Sequence, residues 1–525
     1  MNGEVLRWPL IIVALATVIG LAVADRSDRQ QQAASARSLR EVVSAAAGPD
    51  ARAGVWYCSE GTSSPGEFAD HSVVVSNPTP VAVTAAVSVF PSTPLGSVSP
   101  AAPPEMRRLI VPGRSQAALR LAEVVESQYT AALVEVDSGS AVVEQRVQGP
   151  TGIDAVPCAS RSSKVWHFAA GSTRRDSRLV FTLFNPFPDR AVVKLAFSTD
   201  EGVREPRELR GVLVPARSLV VVNATDLAPR FSSVATTVEA QAGRIVAGRL
   251  MAFDGTEGLE GLTAGPGMPE AATQWVFPSG PGHEGVAEHI VLYNPSERAA
   301  TADISIRADA SDAGDSQVPF EVSVPPRRQV ALTFGSQGAY PLPAAPFSRR
   351  AADSLPEGSG FWAAIQVYNG VPIVAERVTA ASTPPASAGV AVVASTLMSP
   401  AGVAVVAGTP VAAGRHLISA NKAGGEQVAL VVVNPSADSI ARVVVSRLAD
   451  GAASPIAELD PREVAPRSRL VVPIDRLVDG GVYALQVEAS LPVLVFRSLL
   501  AQSGTGMSSA NAVPFDPVPL DPAAF

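Results

Sequence analysis

Two cysteines are the residues whose type and spacing most clearly imply chemistry. The chain of 525 residues has only Cys58 and Cys158, which stand at the two ends of one repeated segment. In an exported protein, an even pair placed in this way predicts a disulfide. Closing a loop of about 100 residues would remove roughly 4–5 kcal/mol of chain entropy from the unfolded state. Two buried thiols are the alternative, and neither cysteine has a partner at metal-site spacing.

A second group with chemical potential lies at residues 280–289. The run from Gly280 to Gly285 matches G-x-G-x-x-G, but a strand pattern follows it where a pyrophosphate site would need a helix. The side chains of His283, Glu284, Glu288 and His289 could hold a metal, yet their spacing does not match a helical H-E-x-x-H motif. We therefore interpret this segment as a polar loop.

Signatures of catalysis are absent from the rest of the sequence. It contains no G-x-S-x-G and no G-x-x-x-x-G-K-[ST], and the five histidines are scattered among different segments. The sequence predicts a non-enzymatic protein with no catalytic, cofactor-binding or metal site. An enzyme whose site lies between domains is the second alternative for function.

Charged residues recur at matching positions in two strands near the end of each repeated segment. We interpret them as framework pairs across neighbouring strands, with a repeated ligand site as the alternative. The arginines are Arg146, Arg249, Arg377 and Arg497, and the residues on the preceding strands are Glu135, Glu239, Gln366 and Glu488.

The four tryptophans that follow the N-terminal apolar segment divide into a repeated set of three and one remaining residue. Trp56, Trp166 and Trp275 open three of the segments, so we predict that they are core residues. Trp362 begins a predicted strand and could be exposed as a platform for a sugar. One tryptophan is weak support for carbohydrate binding.

These residues are positioned by a sequence pattern that repeats four times over roughly 110 residues. Each copy opens with a short strand, and a second strand ends in an Asn-Pro turn because proline cannot donate to a β-ladder. The fourth copy has His416 in place of the opening tryptophan. The turns are Asn77-Pro78, Asn185-Pro186, Asn294-Pro295 and Asn434-Pro435.

A second marker, V-P-x-R-S or a variant of it, follows each Asn-Pro turn after about 30 residues, as at 214–218. A strand pair joined by a tight turn then closes each copy, with Asn369-Gly370 the clearest hairpin signal. Six or seven short strands per copy are typical of an immunoglobulin-like sandwich. The predicted fold is all-β, a tandem array of four such sandwiches at 54–160, 161–270, 271–395 and 396–520. Residues 381–414 could contain an extra strand or a linker.

The N-terminal region predicts where the protein resides. Residues 9–24 are apolar and uncharged, which favours a membrane anchor within 1–24, followed by a stalk at 25–53. Cleavage after Ala22-Val23-Ala24 as a signal peptide remains open, and the protein would then be secreted. Either reading places the bulk of the chain outside the cytoplasm. The net charge of −8, without a basic stripe, argues against a nucleic-acid partner.

The apolar N-terminal segment, the opening Trp56-Tyr57-Cys58, the Asn-Pro turns and the V-P-x-R-S markers together resemble domain of unknown function 5719, a family of exported actinobacterial proteins. This resemblance implies a location in the cell envelope and supplies no active site. We therefore expect a structural or protein-interaction module of the envelope whose partner is an envelope protein or glycan. A glycan-binding accessory protein is the first alternative.

Overall fold

The structure is a computed structural model that describes residues 42–48, 51–97, 102–278, 286–308, 320–334, 349–350, 360–381, 402–422, 425–478, 480–501 and 505–520. This part of the chain is nearly all β-structure, which confirms the all-β prediction. The predicted anchor at 1–24 and most of the predicted stalk lie outside the described residues. Within those residues, no helix has the length and apolar character needed to cross a membrane.

We number the strands along the chain and group them by sequence repeat into copies one to four. Copy one comprises β1 (Gly54–Cys58), β2 (Asp70–Asn77), β3 (Val83–Thr93), β4 (Glu105–Val111), β5 (Ser115–Arg120), β6 (Thr130–Val136), β7 (Val142–Gly149) and β8 (Gly152–Pro157). Copy two comprises β9 (Val165–Phe168), β10 (Ser177–Asn185), β11 (Ala191–Thr199), β12 (Gly202–Arg204), β13 (Val212–Val214), β14 (Ser218–Asn223), the short helix α1 (Ala224–Leu227), β15 (Val234–Ala242), β16 (Val246–Asp254) and β17 (Glu260–Pro266).

The later copies follow the same order. Copy three comprises β18 (Gln274–Pro278), β19 (Val286–Tyr293), β20 (Ala300–Ala308), β21 (Phe320–Val324), β22 (Gln329–Phe334), β23 (Arg349–Arg350), β24 (Phe361–Val367), β25 (Val374–Ala381) and β26 (Gly402–Ala407). Copy four comprises β27 (Val411–Lys422), β28 (Glu426–Asn434), β29 (Ala441–Ala449), β30 (Ala452–Pro455), β31 (Arg462–Val464), β32 (Ser468–Pro473), β33 (Val482–Ala501), β34 (Met507–Asn511), β35 (Val513–Phe515) and β36 (Val518–Pro519).

The strand order within each copy is nearly the same. One sheet joins the opening strand to the first strand of the closing hairpin, as in β1-β6-β3-β4 and β18-β24-β20-β21. The other joins the marker strand, the Asn-Pro strand and the second hairpin strand, as in β5-β2-β7-β8. Copy four differs because the 20-residue β33 runs uninterrupted through both sheets and pairs with β29 in one and β28 in the other.

Each Asn-Pro asparagine ties three parts of its copy together. The Nδ2 of buried Asn185 donates to the carbonyl oxygens of Asp189, Val214 and Pro215 at 2.8–3.3 Å, and its Oδ1 accepts from the backbone of Phe187. Asn77 and Asn434 repeat all of these bonds, and Asn294 repeats all of them except the second bond to the marker segment. The asparagine therefore closes its own turn and also fixes the V-P-x-R marker about 30 residues later.

The marker arginine has a left-handed backbone in all four copies. Arg114, Arg217, Arg327 and Arg467 have φ between 49° and 53°. In each case the arginine N–H donates to a carbonyl of the Asn-Pro turn, as from Arg217 to Phe187 at 3.0 Å. Since this conformation costs an L-residue about 1–2 kcal/mol, the turn contacts must hold it in place.

Replacing Asn185 by alanine should lower the free energy of unfolding by about 2–3 kcal/mol. The change removes three donated bonds and leaves the buried carbonyl of Val214 without this partner. The matched control is Asn369→Ala, because exposed Asn369 donates to Ala299 at a solvent-facing turn and should cost less than about 1 kcal/mol. Urea unfolding of both variants measures the difference, and equal losses would contradict this assignment.

Four strands, one from each copy, meet around a common axis. In each copy, the strand that follows the closing hairpin contacts the equivalent strands of the two neighbouring copies, in the cyclic order β8, β17, β26, β34 and back to β8. We call these four the axial strands. β26 pairs with β25, so part of the segment 381–414 is the closing strand of copy three, although it follows the predicted boundary at residue 395. The four copies thus form a closed ring.

A glycine at the start of each axial strand permits this close approach. A Cβ placed on any of the four would stand within 3.2 Å of an atom of the next copy, which leaves no room for a side chain. Around the ring, Gly152 meets Leu262, Gly261 meets Val403, Gly402 meets Met507, and Gly506 meets Ile153.

Candidate functional site at the ring axis

The middle of the axis is closed by a hydrogen-bonded carboxyl group. Asp154 is 1% exposed, and its Oδ2 accepts from Thr263 Oγ1 at 3.0 Å and from the Ala264 N–H at 2.8 Å. Its Oδ1 accepts from the Ala155 N–H, while Ser508 of copy four bonds to the Ala155 backbone. Burial raises the pKa of Asp154 to about 6. This cluster connects copies one, two and four.

A cavity of about 120 Å³ lies at the carboxyl ends of the axial strands. All four copies contribute to its wall, with Val156, Gly265, Val405 and Ala510 from the four axial strands. Arg249, Glu376 and His416 line it from strands next to the axis. We call this space the axial cavity, and residues from all four copies line it.

The ion pair beside the axial cavity bridges copies two and three. Arg249 on β16 lies 2.8 Å from Glu376 on β25, and both side chains are 3% exposed. The same Glu376 oxygen accepts from the Ala170 N–H at 2.7 Å, and Arg249 also donates to the Ala170 carbonyl. The carboxylate is therefore held by two donors of the preceding copy.

We call the contact surface between two neighbouring copies a seam. The seam between copies four and one repeats this arrangement. Arg497 on β33 lies 3.2 Å from Glu144 on β7, with side chains 1% and 2% exposed. Glu144 also accepts from the Ser419 N–H at 2.6 Å, and Arg497 donates to the Ser419 and Ala155 carbonyls. Arg146 adds a second pair across this seam, with Glu426 of copy four.

At the other two seams, different groups fill the position that the Arg–Glu ion pair occupies. Between copies three and four, the guanidinium of Arg377 stacks 4.5 Å from the ring centroid of Phe496, and burial lowers the pKa of Arg377. Between copies one and two, the carboxyl of Glu60 occupies the space that a Cβ on Gly248 would fill. Phe496 and Gly248 stand at the strand position that Glu376 holds in copy three.

Glu60 is bound by neutral groups. It is fully buried, and Ser59 and Gln145 donate to its carboxyl oxygens. Burial raises the pKa of Glu60 to about 7, and the hydrogen bonds only partly offset this. Because the folded pKa exceeds the unfolded one, the stability that Glu60 contributes is present below about pH 4.5 and is lost as pH rises through 7.

The Glu60→Gln variant should therefore be more stable than the parent at pH 8, by about 3 kcal/mol, and nearly equal to it at about pH 4.5. Gln145 Oε1 has no hydrogen-bond partner, so it can accept from the new amide. Nearby His71, whose pKa burial lowers to about 4, works in the opposite direction but is common to both proteins. Urea unfolding at both pH values is the measurement, and a stability difference that does not change with pH would refute the assignment.

The predicted partners of the repeated arginines were wrong. Glu135 and Glu239 lie on hairpin strands of the opposite sheet from Arg146 and Arg249, because the closing hairpin crosses from one sheet to the other. Their side chains face solvent, as does that of Glu488, and Gln366 is half-buried. The arginines point inward and find their partners in neighbouring copies.

The predicted site residues lie in separate places. Trp56, Trp166 and Trp275 are each at most 1% exposed, and Trp166 and Trp275 donate to the Ile245 and Ile373 carbonyls. Cys58 and Cys158 form a disulfide, as the sequence predicts. Trp362 is 2% exposed and lies in one core cluster with Val276 and Val431, so the alternative that it is an exposed sugar platform does not hold.

The segment predicted to be a polar loop, at 280–285, lies outside the described residues together with His283 and Glu284. Glu288 and His289 lie on β19, where His289 contacts Thr333. Across the residues that the structure describes, no three His, Cys, Asp or Glu side chains gather as a metal site. His71, His167, His289 and His416 belong to four different copies, and burial lowers the pKa of each.

Sequence reasoning missed Glu144, Glu376 and the axial glycines. A signal for the glycines existed, because a glycine followed by an apolar residue recurs after each closing hairpin. The four pairs are Gly152-Ile153, Gly261-Leu262, Gly402-Val403 and Gly506-Met507. Glu144 and Glu376 occupy different repeat positions, so repetition did not mark them.

Comparison with known proteins gives one family match. Residues 148–265 match a family of unknown function, DUF5719. This match agrees with the resemblance drawn from the sequence and covers the end of copy one and nearly all of copy two. No curated protein matches the sequence.

Two solved structures have low similarity. One is described as the crystal structure of Thermotoga maritima 1070, with 15% identity and a TM-score of 0.18 over 20% of this chain and 95% of that one. The other is native Escherichia coli alpha-2-macroglobulin, with 9% identity and a TM-score of 0.14 over 89% of this chain and 40% of that one. At these TM-scores neither likeness bears on fold or function.

Proposed function

We propose that this protein is a non-enzymatic interaction module of the bacterial cell envelope, in which four immunoglobulin-like sandwiches form a rigid ring. Residues 1–24 hold it at the membrane, and the ring lies outside the cytoplasm. An actinobacterial source fits the family resemblance. The ring is the frame, and the loops between its strands contact the partner.

The observation that carries this proposal is that buried side chains at the seams bond to the neighbouring copy. Glu144 and Glu376 already accept from an arginine and from a backbone N–H of the neighbouring copy. Groups used in this way hold copies together and are not available to abstract a proton or attack a substrate. A frame joined at every seam keeps its outer loops at fixed distances from one another, which suits binding to a large partner.

Between the two envelope partners, protein is favoured over glycan. Carbohydrate sites in proteins commonly present an aromatic face, and Trp362, the one tryptophan of the described residues outside the repeat pattern, is buried at the seam of copies three and four. Glycan binding stays the alternative to be distinguished by experiment.

An enzyme with a site between copies is the second candidate. The axial cavity favours it, because Arg249, Glu376 and His416 reach the cavity from copies two, three and four. The bonds that Arg249 and Glu376 make to each other and to Ala170 speak against a catalytic role for either.

The proposal is tested by crosslinking the full-length protein in intact cells and identifying captured partners by mass spectrometry. A purified fragment beginning at residue 42, which retains the segment packed on the ring, serves as competitor, and the same fragment unfolded and reduced is the control. Capture of one envelope protein that only the folded fragment displaces supports the proposal. Capture of glycan alone would replace it with the glycan-binding alternative. No displaceable capture would overturn it in favour of the enzyme candidate.

A further inference from the structure

We propose that the axial cavity binds a small apolar molecule about the size of one aromatic ring. Its volume is about 120 Å³, and an apolar cavity of about 150 Å³ in another protein is large enough to admit benzene or xenon. Apolar side chains from all four copies form much of the wall, namely Val156, Met268, Val405, Val411, Leu494 and Ala512.

Arg249, Glu376 and Asn511 in the wall have hydrogen-bond partners within the protein, whereas His416 Nδ1 and Arg249 Nε have none among the described residues. Arg249 and Glu376 form their ion pair, and Glu376 also accepts from Ala170. Asn511 donates to the Ala407 carbonyl at 2.7 Å. Since these groups already have partners, a ligand would be held mainly by burial of its apolar surface and by the shape of the cavity.

Gly265 gives independent support. The other glycines of this wall are needed for packing, because a Cβ on Gly267 or Gly408 would come within 2.7 Å of a phenylalanine ring. A Cβ on Gly265 would meet nothing closer than Val156 at 3.9 Å, and its backbone is not left-handed. Neither crowding nor backbone geometry explains this glycine inside β17, and close approach of a ligand is one reason for a glycine in a strand.

The segment 42–48 covers one side of the cavity, and we call it the strap. Val42, Val43 and Ser44 contribute to the wall. The strap is tied down by backbone hydrogen bonds of 3.2 Å from Ala46 to the Pro514 carbonyl and from Gly48 to the Gly139 carbonyl. Val42 and Ala46 are also buried in core clusters, so the strap is a packed part of the cavity wall.

Isothermal titration of the full-length protein with indole, and separately with benzene, tests the proposal. We expect saturable binding of both probes to the parent protein. The Gly265→Leu variant should bind at least 10-fold more weakly, because its side chain occupies the cavity. The Gly265→Ala variant, which adds one methyl group and fits without displacing a neighbour, should bind about 2- to 5-fold more weakly.

The matched control is Gly211→Leu, since Gly211 is exposed and a Cβ on it would meet nothing closer than Val192 at 4.0 Å. It should bind both probes as the parent does. Circular dichroism confirms that each variant folds, and the alanine variant preserves the test if the leucine variant does not. Absence of saturable binding to the parent, or unchanged binding by a folded Gly265→Leu variant, would overturn the proposal.

Discussion

Replacing Arg497 by methionine is expected to lower the free energy of unfolding by about 3–5 kcal/mol. Methionine matches the apolar length of arginine but cannot donate, so the almost fully buried Glu144 would lose its arginine partner and keep the Ser419 N–H as its remaining donor. Breaking one side of a buried pair costs this much because the other charge is left without compensation. The loss should be measured by urea unfolding near neutral pH.

The double variant Arg497→Met with Glu144→Leu should recover most of that loss, since replacing both members of a buried pair by apolar groups is often nearly neutral. The matched control is Arg442→Met, because the Arg442–Glu463 pair has side chains 69% and 58% exposed and should contribute at most about 1 kcal/mol. If the single Arg497 variant and the control lose equal stability, the seam does not depend on its ion pair.

Removing the disulfide by replacing both Cys58 and Cys158 with alanine should destabilise copy one by about 4–5 kcal/mol. The bridge joins residues 100 apart, and opening so long a loop returns considerable freedom to the unfolded chain. Alanine is preferred to serine, because both cysteines are fully buried and a hydroxyl would need a hydrogen-bond partner.

Hydrogen exchange of peptides from copy one, followed by mass spectrometry, is the direct measurement of this effect. Protection of β2 and β7 should fall in the double variant. Dithiothreitol should reproduce that loss in the parent protein and leave the variant unchanged. Unaltered protection in β2 and β7 would show that the loop is held closed without the bridge.

The features predicted from the sequence are those governed by neighbouring residues. The Asn-Pro turns lie where the pattern placed them because each asparagine bonds to its own turn, as Asn185 does to Asp189 and Phe187. The disulfide was also within reach of sequence, since the chain has only one pair of cysteines. Local chemistry thus accounts for the strands and turns of each copy.

The candidate site could not be derived in this way. The partner of Arg249 is Glu376, 127 positions along the chain, and nothing near either residue marks the other. Trp362 was misjudged for the same reason, because the surface that covers it belongs to copy four. A repeated sequence specifies the strands and turns of each copy, whereas the way the copies close on each other depends on contacts between residues far apart in the chain.

The seam between copies one and four has a consequence for how the molecule is made. Glu144 and Arg497 are 353 positions apart, and Leu417 and Phe515 of copy four pack into the core of copy one. During synthesis, copy one emerges first, and its surface toward copy four stays exposed until the last strands have been made. A chain interrupted before copy four would be an open arc with uncovered apolar ends, prone to join with other such arcs. Completion of the circle thus distinguishes a finished molecule from a truncated one.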